Sequence, residues 1–220
     1  MHWVHKNVPH CGGGAEVDVT LDALSILSYT VGKGFAPGIY CYHIATVLTE
    51  CCLAAGLTAR TIHCKPYNPN DVDTHVVSMV FVSEMNKWVL FDPNNDAYFT
   101  DKGGVALSPL EARTLLGRDE ILVVGKPQTE PDSYKQYMAK NLFYIKFWAR
   151  NTFGTDLAAN QKIYFLAPLG FDLRTREIAY CEYAIKNSPE ENRKSWIAAL
   201  NQFKNQAIIT VSEDEFLQVV

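Results

Sequence analysis

Apolar residues recur along this chain with two periods. From residue 41 the run "CYHIATVLTECCLAAG" places Ile44, Ala45, Leu48, Cys52 and Ala55 on one face of a helix, with Gly56 as its stop. Upstream, Trp3, Val4 and Val8 fit the end of an amphipathic helix, and a "GGG" loop occupies 9–16. Thr20 caps a predicted helix over "TLDALSILSYT" that ends near "GKG" at 32–34, and "FAPG" is a turn. After Gly56 the period shortens to two. "LTARTIHC" reads as a strand and "KPYNPNDVD" as a polar loop, and "THVVSMVFV" and "KWVLFD" form a hairpin around the turn "SEMN".

In the second half, Ser108-Pro109-Leu110-Glu111 is a capping box with proline at the first helical position, opening a short helix that stops at Gly117. "EILVV" follows as a strand. The pattern over 132–150 predicts one long aromatic-rich helix, and "KIYFLAPL" and "REIAYCEYAI" read as strands. Ser188-Pro189-Glu190-Glu191 repeats the capping-box pattern before "NRKSWIAALNQF". "QAIITV" and a short helix capped by Ser212 complete the pattern, which holds no internal repeat. The sum is an α+β fold. The linker-like "GKPQTEP" divides a core over 1–125 from a C-terminal α/β extension over 126–220 packed onto it.

Composition narrows the partners. The 220 residues are 48% hydrophobic and 20% charged, as in ordinary globular proteins, with a formal net charge of -4. Lysine and arginine form no run or stripe, so neither nucleic acid nor an anionic membrane surface is an expected partner. No apolar run reaches the length of a membrane span. The opening "MHWVHKNVPHCGGG" lacks an export-signal pattern, and location stays open. Six cysteines are too few for a disulfide-built scaffold, and Cys51 and Cys52 read as packing residues.

Cys41 stands apart from the other cysteines. It follows a turn and opens a helix, where unpaired backbone N–H groups favour a thiolate and can receive a developing oxyanion. Its base should be a histidine held by a carboxylate or an amide. His75 begins one hairpin strand and Asp92 ends the other. With the even-numbered turn 83–86, Val77 faces Asp92, and His75 and Asp92 point to the same face as diagonal neighbours; an odd turn would part them. His43, two residues along the helix from Cys41, points away and reads as packed or solvent-facing rather than catalytic. Arg60 reads as structural, paired with an acidic residue near the hairpin, with a substrate anchor as the alternative. Tyr40 and Tyr42 are cleft walls or hydroxyl donors to an oxyanion. Neither "C-x-H" at 41–43 nor "H-C" at 63–64 has zinc-ligand spacing, so no metal or cofactor is expected.

The segment "CYHIATVLTECCLAAGLTAR" resembles the nucleophile helix of the transglutaminase-like superfamily, including the Gly56-Leu57-Thr58-Ala59-Arg60 signature leading into the next strand. "HVVSMVFVSEMNKWVLFDPNN" resembles that family's later motifs, a histidine on one strand and W-x-x-x-D-P closing the next. The resemblance covers roughly residues 36–95. It implies a papain/transglutaminase-like core, a nucleophile helix packed on an antiparallel sheet. It further implies Cys41 as nucleophile, His75 as general base and acid, and Asp92 as the orienting carboxylate. Two positions depart from the family. Gly38 lies three residues before the cysteine with Ile39 in the usual glycine place, and Val77 stands where tryptophan is common. Phe35 occupies the place where papain-like enzymes carry a glutamine donor. The implied activity is hydrolysis of a peptide or related amide through a thioester. Transfer to an amine, or a binding module without turnover, are the alternatives.

Overall fold

The helix that begins at Cys41 anchors the architecture. In a computed structural model, which describes residues 1–11, 17–33, 36–127, 129–148, 162–205 and 207–218, it is α3 (Cys41–Ala54). Residues 12–16 of the predicted glycine loop, and Phe35, lie outside the described residues. Before α3 come α1 (His2–Asn7) and α2 (Ala23–Thr30); after it come β1 (Ala59–Lys65), β2 (His75–Val82), β3 (Lys87–Asp92) and β4 (Ala97–Asp101). The chain continues through α4 (Pro109–Leu116), β5 (Ile121–Gly125), α5 (Pro131–Asn141), β6 (Tyr144–Trp148) and β7 (Ile163–Leu166). It ends with α6 (Leu173–Asn187), α7 (Glu190–Asn205), β8 (Ile209–Thr210) and α8 (Glu213–Gln218). The fold is mixed α+β.

All eight strands form one sheet in the order β5-β4-β3-β2-β1-β6-β7-β8, antiparallel except for the β7–β8 pair. Because β6 pairs directly with β1, the sheet runs on across residue 125. The pleat sends Ile62, Cys64, Val77, Met79, Leu90 and Phe99 to one face, where they pack with Leu110 of α4, Tyr134 of α5 and Phe216 of α8. On the other face, Ser78 Oγ donates to the Ala45 carbonyl of α3 at 3.0 Å, and Thr49 Oγ1 donates to Ser78 Oγ at 3.0 Å. Ile44, Val47 and Leu48 then join Val4, Val8 and Ile26 of α1 and α2 in a second core. A third core sets Leu173, Tyr180 and Cys181 of α6 and Phe203 of α7 against Tyr144 and Phe165. Burying one such side chain stabilises the fold by roughly 1.5–3 kcal/mol relative to leaving it exposed.

Four elements differ from the sequence pattern. The predicted helix over 132–150 stops at Asn141, and Tyr144–Trp148 form strand β6 between β1 and β7, while 149–150 lie outside the described residues. Tyr144, Ile145 and Phe147 are all buried, so both faces of that strand are covered and the apolar run loses its alternation. "REIAYCEYAI" forms helix α6 rather than a strand; Asp172 caps it by accepting the Thr175 N–H at 3.0 Å. Its buried residues Leu173, Arg176, Glu177, Tyr180, Cys181 and Ala184 recur with helical spacing, but two of them are charged and mask the period. Asp22, not Thr20, caps α2, accepting the Ser25 N–H at 2.8 Å. Strand β4 had no counterpart in the sequence pattern; it pairs with β3 and β5. The capping box of α4 forms as its sequence predicts, and Ser212 caps α8 as expected, in a reciprocal pair with Glu215; the box predicted for α7 involves Glu191, whose side chain lies outside the described residues. Among the described residues no helix is long and apolar enough to cross a membrane.

Candidate active site

Cys41 is the first residue of α3, entered from an extended Tyr40. The Tyr40 N–H donates to His43 Nδ1 at 3.0 Å, so His43 caps the helix that Cys41 opens. His43 is buried and stacked on Tyr42 with ring centroids 4.0 Å apart. Burial, and the neighbouring His10, push its pKa down to about 4. A neutral capping imidazole is its structural role. Ahead of it, Gly38 adopts φ 80°, a left-handed conformation that glycine accepts without strain.

His75 and Asp92 are brought together by hairpin parity. Val82 pairs with Lys87 and Ser78 with Phe91, so the intervening residues 83–86 are even in number. A 3₁₀ turn over Ser83–Met85 and Asn86 at φ 49° close that turn. His75 Nε2 then donates to Asp92 Oδ2 at 2.6 Å, with both side chains buried. Cys41 lines the same cleft as His75 and is among the groups that favour its charged form. With Nε2 engaged by Asp92, Nδ1 is the nitrogen left for the sulfur. Burial opposes a charged His75, but Asp92 and then Cys41 outweigh it and raise its pKa to about 10.

Asp92 is the most heavily bonded group in the site. Besides His75, its Oδ2 accepts from the Tyr134 hydroxyl at 2.8 Å and Asn95 Nδ2 at 2.9 Å. Its Oδ1 accepts the backbone N–H groups of Asn94 at 3.0 Å and Asn95 at 3.2 Å. Burial disfavours the carboxylate, yet His75 foremost, with Asn95 and Tyr134, holds its pKa below the ordinary value. The turn after Asp92 is itself braced. His2 Nδ1 bonds Asp96 Oδ2 at 2.6 Å, and His5 Nδ1 lies 3.1 Å from the carbonyls of Pro93 and Asn94. Gly125 passes so close that a β-carbon there would meet the Asp96 carbonyl oxygen at 2.0 Å.

Tyr134, Asn95, Tyr137 and His10 belong to this site and escaped the sequence reading. Tyr137 sets its ring edge against His75 at 5.3 Å. Asn95 had a faint signal in "DPNN", since a side chain that closes a turn on its own backbone often starts such a sequence. Tyr134→Phe removes one donor from a buried carboxylate, and hydrogen bonds to charged groups contribute roughly 1.5–3 kcal/mol. A loss of stability of about that size in urea titration is the expected outcome; a change under about 0.5 kcal/mol would show that Asp92 does not need this bond.

A cleft of about 850 Å³ opens over these groups, lined by Cys41, His75, Tyr40, Tyr137, Tyr180 and Trp196 among others. Cys51 and Cys52 lie further along α3, but Cys51 is exposed and Cys52 only half-buried, so the expected core packing does not hold for Cys51; desolvation raises both thiol pKa values. All six cysteines are free. Arg60 is structural: its guanidinium lies 4.6–5.0 Å from the Trp88, Phe147 and Phe216 rings, and it donates to Met79 Sδ and the Phe216 carbonyl. No family model, curated protein or solved structure matches the chain.

Proposed function

We propose that the chain is a cysteine hydrolase of the transglutaminase-like superfamily, built on a papain-like core. Its reaction is cleavage of a peptide or related amide bond through a thioester intermediate. One observation carries this reading: a buried His75–Asp92 pair at 2.6 Å shares an open cleft with a cysteine at the first residue of a helix. A packing cysteine has no need of that arrangement. The tyrosine-rich lining suits a neutral, extended substrate more than a highly charged one.

In the acylation step the Cys41 thiolate attacks the carbonyl carbon, a C–S bond forms, and the π electrons move to oxygen. Collapse of the tetrahedral species breaks the C–N bond while His75 Nδ1 delivers its proton to the leaving amine. Water then attacks the thioester, returns a proton to His75 and frees the acid and the thiolate. Asp92 holds the ring so that one nitrogen always faces sulfur.

Alkylation by iodoacetamide across pH tests this directly. Cys41 is expected to react readily at pH 6, and His75→Ala to slow it by on the order of 10- to 100-fold. Cys41→Ala should abolish the fast labelling. Equal rates with and without His75, or labelling confined to Cys51 and Cys52, would overturn the reading.

A further inference from the structure

We propose that His10 is the side-chain hydrogen-bond donor to the oxyanion that forms when Cys41 attacks a carbonyl, an assignment that rests on the hydrolase reading above. Acyl transfer places negative charge on the former carbonyl oxygen, and donors preset around it lower the barrier. The Cys41 backbone N–H, in the first turn of α3, has no intrahelical acceptor and supplies one donor. A second is missing from the place where papain-like clefts carry it, because the residue there is Phe35.

His10 reaches the site from an earlier segment. The Cys11 N–H donates to the Ile39 carbonyl at 2.9 Å, and the Gly38 N–H donates to the Cys11 carbonyl at 3.2 Å. These two main-chain bonds fasten residue 11 beside the turn that launches the nucleophile. His10 therefore lines the same cleft as Cys41 and His75, its ring edge-on to Tyr40 at 6.0 Å and 84°. It is exposed to solvent and so open to substrate. Among the described residues neither of its ring nitrogens has a hydrogen-bond partner. His43, the nearer histidine in sequence, is buried and spends its Nδ1 on Tyr40.

Charge fits the role as well. Partial burial, and then the positive His75, lower the His10 pKa, while Asp73 and Asp92 oppose this. A neutral imidazole has one N–H to give and does not compete with His75 for the proton. It also spares the site a second cation.

Two reagents separate this role from the others. Alkylation by iodoacetamide displaces iodide without forming an oxyanion, whereas acylation by para-nitrophenyl acetate passes through one before nitrophenolate leaves. His10→Ala is expected to slow acylation by about 100- to 1000-fold, the usual effect of losing one oxyanion donor. Alkylation of Cys41 should stay within about twofold, because that reaction makes no use of the donor. His10→Gln, which keeps an N–H, should recover most of the acylation rate. Acylation unchanged in His10→Ala overturns the assignment. So does a parallel loss of both rates, which would mean that His10 merely positions Cys41. A parent chain whose Cys41 fails to alkylate overturns the hydrolase reading itself, and this assignment with it.

Discussion

Asp92→Ala is expected to cost the fold about 3–5 kcal/mol, the size typical of removing one partner from a buried ion pair. The substitution strands His75, which is 1% exposed, and leaves the Tyr134 hydroxyl and the Asn95 amide without the acceptor they share. The backbone N–H groups of Asn94 and Asn95 lose theirs too. The pH dependence has a definite sign. His75 titrates at about 10 in the folded chain against an ordinary 6.5. Its share of stability is therefore complete below pH 6.5 and is lost as pH rises through about 10. Asp92 is held below its ordinary 3.8, so its share is complete above that pH and is lost as pH falls through the lower folded value. Both describe one interaction and count once. Urea titrations of the parent and Asp92→Ala should thus differ most between about pH 4 and 6.5, and the gap should narrow toward pH 10 as the His75 share is lost. A difference below about 1 kcal/mol, or one that is flat with pH, would mean that His75 is neutral in the folded chain.

The parts of this site that were legible in sequence are those fixed by local periodicity. Strand alternation and a four-residue turn determine that His75 and Asp92 emerge on one face, and no tertiary information is needed. The place of Cys41 follows likewise from a turn running into an apolar helix. Tyr134 was not legible, because which side of α5 turns inward depends on how that helix docks on the sheet. His10 was hidden for a related reason: it lies in irregular chain and is positioned by two main-chain bonds to residues almost thirty positions away. In the fold, β6 passed for helix because a strand covered on both faces shows no alternation. Helix α6 passed for strand because its inward face carries Arg176 and Glu177, a buried charge cluster that no hydropathy pattern reveals.

That cluster carries the other large expected effect. Glu177, 1% exposed, accepts Lys65 Nζ on both oxygens at 2.6 and 2.8 Å, Arg176 Nη1 at 3.0 Å, and the Tyr144 hydroxyl. Burial works against its carboxylate, but Lys65 first and Tyr144 after it outweigh that and hold its pKa below the ordinary value. Arg176 also donates to the carbonyls of Pro66 at 2.7 Å and Asn68 at 3.2 Å, on the loop that leads to His75. Lys65 lies 4.2 Å over the ring of Tyr180, which lines the cleft against Trp196. Glu177 therefore fastens α6 to the sheet at the wall of the site. Glu177→Ala leaves Lys65 buried without its carboxylate and should destabilise the chain by about 3–5 kcal/mol. Lys65→Met combined with Glu177→Ala removes the stranded charge along with its partner. The double variant should then be more stable than Glu177→Ala alone, with a coupling of roughly 0.5–3 kcal/mol in a double-mutant cycle. If the double variant were no more stable, Lys65 would have found water in the absence of Glu177, and the cluster would be a solvated contact. Recovery in the double variant would instead fix the pair as the buried joint between α6 and β1.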